Sequence, residues 1–125
     1  LTAHMFESAY VENLGNGSFK VTALPNQAQL GPTLAISTDD VNNDGFKDIM
    51  GIGAIYDAEV ETIRYDSNFG YVLLGDGEGN FSYASAYEPF IASDAKDMIA
   101  INRQGNTHYV VVSNNAPLEV FTFQP

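Results

Sequence analysis

The stretch "STDDVNNDGFKDIMGIGA" (residues 37–54) spaces its acids as D-x-N-x-D-G-x-x-D: Asp40, Asn42, Asp44, Gly45 and Asp48. Apolar runs flank it on both sides. Carboxylates this close repel one another, so water or a cation must compensate them. Ca2+ is a hard cation that takes about six to eight oxygen ligands, and a tight loop can supply them from alternate positions. On that reading Asp40, Asn42 and Asp44 project toward one centre. Gly45 permits the sharp turn, the carbonyl of Phe46 points inward, and Asp48 closes the cage. The spacing follows the first nine positions of the helix-flanked calcium loop. It departs at the twelfth, where Gly51 replaces the bidentate Glu. The loop is therefore expected between two β-strands rather than two helices. A solvated Asx-rich turn is the plain alternative, since Asp, Asn and Gly form turns without a metal. The full spacing favours calcium, and Mg2+ tolerates less crowding of protein ligands.

Outward from this loop, helical periodicity is nearly absent. Short runs rich in Val, Ile, Tyr and Phe are punctuated by Gly, Asn and Asp, which is the pattern of strands and turns. Strands are expected near residues 9–14, 18–24, 33–38, 48–56, 69–75, 80–87, 97–102, 108–113 and 118–123. Asn16-Gly17 and Asp76-Gly77 mark two hairpin turns. The two turns are offset by 60 residues. The same offset lays "DVNNDGFKDIM" (40–50) on "AINRQGNTHYV" (100–110), matching Asn42 to Asn102 and Gly45 to Gly105. That is an internal repeat of about 60 residues, as in propellers and solenoids.

The expected fold class is all-β, with antiparallel four-stranded blades of a β-propeller and about two blades in this chain. Residues 1–28 read as the last strands of a preceding blade. Residues 29–88 form a complete repeat with the calcium loop, and 89–125 a degenerate one without it. There Ala100, Gln104 and His108 stand where the first, third and last ligands would be, so that loop is expected to bind no calcium. "DAEVETIRYDSN" (57–68) is a polar insertion between two strands, expected to be exposed and to contribute to partner contact.

These residues resemble the FG-GAP or VCBS repeats of integrin-α-like β-propellers. The resemblance covers one full repeat, 30–87, with partial repeats on both sides. "DVNNDGFKDIMGIGA" looks like the family's calcium loop and following strand, although Gly53-Ala54-Ile55 lacks the family's proline. "FGYVLLGDGEGNFS" looks like the next strand and hairpin. The family's opening "FG" appears as Leu30-Gly31, and "YVENLGNGSFKV" is typical of bacterial members. The resemblance implies a structural calcium ion, a scaffold that displays binding or adhesion surfaces for a protein or glycan, and an extracellular or cell-surface location. Two blades and a fraction cannot close a ring. The chain is therefore expected to be part of a longer propeller or to self-associate.

The bulk composition excludes several classes. Among 125 residues, 16 acids face five bases, a formal net charge of −11. Nucleic acid as a partner is excluded by the lack of a basic footprint. An anionic membrane surface is disfavoured for the same reason, and no apolar run is long enough for insertion. There are no cysteines, hence no disulfide, thiolate metal site or cysteine nucleophile. "LTAHMFESAY" (1–10) shows no signal peptide.

Enzyme signatures are thin. His4 and His108 are the two histidines, and no G-x-S-x-G elbow is present. "GDGEGN" (75–80) precedes a strand-like run rather than a helix, so it reads as a hairpin turn and not a phosphate loop. Asp57, Glu59, Glu61 and Asp66 crowd the insertion, and Tyr65 within it, with Tyr56 and Phe69 at its ends, could stack on a sugar or a partner, although strand-end aromatics usually serve packing. An accessory or catalytic propeller domain of a carbohydrate-active enzyme is the alternative reading. Asn16-Gly17-Ser18 and Asn80-Phe81-Ser82 match the N-glycosylation pattern.

Overall fold

The computed structural model describes residues 2–56, 63, 65 and 69–123. The fold is all-β, with nine strands among the described residues and antiparallel pairing throughout. Strands β1 (Ala9–Gly15) and β2 (Ser18–Ala23) form a two-stranded hairpin. Its turn, Asn16-Gly17, has φ of 52° and 76°, the left-handed pair that matches the natural twist of a hairpin. Strands β3 (Ala35–Asp39), β4 (Asp48–Ile52), β5 (Tyr71–Gly75) and β6 (Phe81–Tyr83) form a four-stranded meander in sequence order. Strands β7 (Asp94–Arg103), β8 (Asn106–Asn114) and β9 (Glu119–Phe121) form a three-stranded one.

Two apolar clusters explain how the sheets stack. Side chains alternate across a strand, so each face of the central sheet takes every second residue. Met50, Ile52 and Val72 join Ala95, Met98, Tyr109 and Val111 of the three-stranded sheet in the main core. Tyr71 and Leu73 point the other way and pack with Ala28, Leu24, Ile49, Phe81 and Tyr83. Tyr10 of the N-terminal hairpin meets Phe81 edge to face at 5.1 Å. Ile36 on the edge strand β3 is exposed, whereas the inner strands β4 and β5 are thus covered on both faces. This accounts for the near-continuous burial of β4 and β5.

Three expectations differ from what is observed: the strand sought at 48–56 ends at Ile52, with Ile55 in an isolated bridge, and two others follow. The strand sought at 80–87 ends at Tyr83, and residues Ser85–Tyr87 form a short 3-10 turn that leads to the buried Pro89. The stretch aligned with the calcium loop is no loop. Strands β7 and β8 continue to Arg103 and Asn106, and Gln104-Gly105 close them with φ of 55° and 85°. With Ala100 and Gln104 in place of the backbone-capturing Asp40 and Asp44, residues Ala100, Ile101 and Asn102 extend the strand. No helix among the described residues is long and apolar enough to cross a membrane.

Candidate metal centre

The acidic loop connects β3 to β4, which pair from Asp39↔Asp48 to Ala35↔Ile52. It therefore begins and ends on one rung of the sheet. Within it the side chains capture the backbone. Asp40 Oδ1 accepts from the Asp44 amide at 3.0 Å, and its Oδ2 accepts from Gly45 at 2.8 Å. Asn42 Oδ1 accepts from the same Asp44 amide at 3.1 Å. Asp44 Oδ1 accepts from the Phe46 amide at 2.9 Å, and the Asn42 amide group donates to Asp44 Oδ2 at 2.8 Å. Asn43 and Gly45 take positive φ, 60° and 91°, which wraps the chain around this point.

The structure brings Asp40, Asn42 and Asp44 together and sets Asp48 apart. Asp48 is fully buried. Its Oδ2 accepts from the Val41 amide at 2.9 Å, and its Oδ1 from the Gly75 amide at 3.0 Å. It ties the loop to β5. Gly75 is needed there, because a Cβ would stand 2.3 Å from the Lys47 carbonyl oxygen. The Phe46 ring is half out in solvent and lies over Gly77, where a Cβ would meet it at 2.5 Å. Among the described residues, no three His, Asp or Glu side chains are gathered in a group ready to hold a metal. The donor chemistry nonetheless fits a hard cation. Asp40, Asn42 and Asp44 each offer side-chain oxygens, although the Asn42 NH2 is turned onto Asp44 Oδ2, and each carboxylate oxygen keeps a lone pair beyond its hydrogen bond.

Beside the loop, Asp39 is bound across the sheet interface. Tyr109 donates its hydroxyl to Asp39 Oδ2 at 2.8 Å, and the Asp40 amide donates to Oδ1 at 3.0 Å. Burial pushes the Asp39 carboxyl up, but hydrogen bonds from Tyr109, Asp40 and Thr107, with Lys47 nearby, outweigh it and hold its pKa below the usual value. Lys47 stands 3.7 Å away and is largely exposed, so its ion pair is weak. Burial first, and then the Asp39 contact, push the Tyr109 hydroxyl well above its ordinary pKa. It remains a proton donor.

Other sequence candidates fall elsewhere. His108 is half-buried on β8, opposite Ile101, and His4 is exposed near the N-terminus. The insertion at 57–68 lies outside the described residues except for Ile63 and Tyr65, so its acids have no described placement. Its base is closed by the bridge between Ile55 and Tyr65. Asp76 caps its own turn. Its oxygens accept from the Glu78 and Asn80 amides and from the Asn80 side chain, which makes "GDGEGN" a self-capped hairpin loop.

Sequence reasoning missed a polar clamp at the opposite end of the sheets. Asp94 is buried and accepts from the Tyr56 amide at 3.2 Å, Lys96 Nζ at 2.7 Å and Asn114 at 3.3 Å. Lys96 also donates to the Ala54 carbonyl at 2.9 Å. The only sequence signal was D-x-K at the start of a strand, which has no distinctive spacing.

No protein-family model, curated protein or solved structure matches this chain.

Proposed function

We propose that this chain is a calcium-stabilised segment of a β-propeller, of the FG-GAP/VCBS repeat type, that serves as an extracellular binding or adhesion module for a protein or glycan ligand. The observation that carries the reading is the convergence of Asp40 and Asn42 side-chain oxygens on the amides of residues 44 and 45, with Asp44 accepting from the next amide, that of Phe46. It leaves carboxylates crowded around one tight turn, which is where a divalent ion lowers the repulsion. Asp40, Asn42 and Asp44, with the Phe46 carbonyl, would hold the ion. Asp48 would close the loop through the backbone amides of Val41 and Gly75 that it binds. When bound, the ion supplies positive charge and rigidity, and no chemistry is asked of it.

The blade reading is supported by sheets of two, four and three strands stacked on each other, with the four-stranded one a simple meander. The terminal sheets, of two and three strands, suit either a longer propeller or copies that associate. The binding role rests on the family resemblance.

The reading is tested by melting the protein with and without chelator. Ligands that bind only the native state raise its stability, by about 2.7 kcal/mol at a hundredfold excess over Kd. Calcium should raise Tm, Asp44→Ala should remove the response, and Gln104→Ala should keep it. A wild-type Tm that ignores calcium and chelator alike overturns the proposal.

A further inference from the structure

The geometry points to a binding site for an alkylammonium group in the cleft between β9 and the turn that leads into β7. It is independent of the calcium reading. A cavity of about 310 Å3 opens there, lined by Tyr87, Glu88 and Phe90 on one side and Glu119, Phe121 and Phe123 on the other. That volume is at the small end of ligand sites, with room for a charged head and a short stem. Side chains alternate along β9, so Glu119 and Phe121 share one face. They pair with Val111 and Tyr109, both core residues, so this face is turned toward the core. Phe121 stacks on Tyr109 at 5.3 Å. Phe123 meets Tyr87, Tyr109 and Phe121 edge to face at 6.0, 5.4 and 5.7 Å. These rings are therefore held in place by the core before any ligand arrives. On the other wall Phe90 stacks on Phe69 at 5.0 Å and is 73% exposed, so burial does not account for it.

Glu119 is the residue out of place, a half-buried carboxylate on the core-facing side of a strand. Such a group is costly to desolvate unless it is compensated. Its Oε1 accepts from the Ser93 hydroxyl, and Glu88 Oε2 accepts from the Tyr83 hydroxyl at 2.8 Å. Among the described residues, no Lys or Arg is paired with either carboxylate. Each therefore presents a second oxygen that only accepts, and an occupant that donates or carries positive charge suits it. Anions are repelled by both carboxylates and by the net charge of −11. Aromatic faces are electron-rich and attract a cation within about 6 Å of the ring centre. A protonated amine on a short apolar stem meets all of these conditions. Its N–H groups donate to Glu88 and Glu119, and its methylene groups lie against Tyr87, Phe121 and Phe123. A quaternary ammonium suits the rings but has no N–H for the carboxylates.

The test is a titration of butylammonium chloride into the full chain, in chelator, followed through the aromatic NMR signals of Tyr87, Phe121 and Phe123. Saturable shifts are expected in the millimolar range. Butanol, with the same stem and no charge, should leave these signals unmoved, and tetramethylammonium should bind more weakly than butylammonium. Glu88→Gln and Glu119→Gln keep size and one acceptor oxygen, and each should raise Kd by up to about fivefold, the upper range for exposed ion pairs. Nα-acetyl-lysine amide distinguishes two sources of the same group. Tighter binding than butylammonium assigns the site to a lysine side chain of a partner, and equal binding assigns it to a free amine. No saturable shift with butylammonium, equal binding of butanol, tighter binding of tetramethylammonium, or an unchanged Kd in both variants overturns the site. If Glu119→Gln does not fold, Glu88→Gln at its exposed position decides. Because calcium is absent from the titration, this outcome and that of the metal reading are separate.

Discussion

Asp48 and Asp44 belong to one motif and do different work. Asp48 is buried with two backbone amides on its carboxylate, so Asp48→Ala leaves both amides without partners. The expected cost is about 2–5 kcal/mol, present in chelator as well as in calcium. Asp44 is exposed, and its bonds are local to the turn. Asp44→Ala should cost about 1 kcal/mol or less in chelator and abolish the calcium response. Urea unfolding of both variants, with and without calcium, separates the two roles. Equal losses in chelator would contradict this division. Gly51 shows why the motif stops short of a twelfth ligand. A Cβ there would stand 2.3 Å from the Tyr71 ring, so the position is closed to any side chain.

The elements were legible wherever apolar alternation and turn residues agreed. Runs such as "YVLLG" and "HYVVVSN" declare β5 and β8, and Asn16-Gly17 declares the hairpin between β1 and β2. Residue type and spacing marked the loop, but its Asx captures of the backbone belonged to the plain-turn alternative rather than to the calcium reading. The inward turn of Asp48 followed from neither, because its partner Gly75 is 27 residues away. The same holds for Tyr109 on Asp39, 70 residues apart, and for the Asp94 clamp. Long-range polar partners leave no periodic trace. The clamp carries its own prediction. Burial pushes the Asp94 carboxyl up, yet Lys96, the Tyr56 amide and Asn114 outweigh it and hold its pKa below the ordinary value of 3.8. A lowered carboxyl stabilises the fold fully above its unfolded pKa, and that stabilisation is lost as pH falls through the folded value. Wild-type Tm should therefore drop below about pH 4, where the unfolded carboxyl begins to protonate. Asp94→Asn should be less stable at pH 7 and show a shallower acid slope. An acid slope identical in wild type and variant would remove Asp94 from the account.

At the scale of the whole molecule, the stack ends in apolar faces. On the three-stranded sheet Ile99, Val110 and Val120 form a row across the strands, and Ile99 and Val120 are 59% and 60% exposed. Ile101 and Val112 are also exposed there. On the N-terminal hairpin Val11, Phe19 and Val21 are exposed on the face away from Tyr10 and Phe81. Contiguous apolar surface of this kind marks an interaction face. The isolated 125 residues should therefore associate, and Ile99→Lys with Val120→Lys should shift light scattering toward the monomer. A wild type that is monomeric and stable at high concentration would contradict the open-stack reading. The proposed calcium reading turns on whether the acidic loop is a metal site. Calorimetric titration of calcium into the chelator-stripped protein asks that directly. The account predicts saturable binding at one site per chain, lost in Asp44→Ala and kept in Gln104→Ala. No binding heat at millimolar calcium in the folded wild type would contradict it.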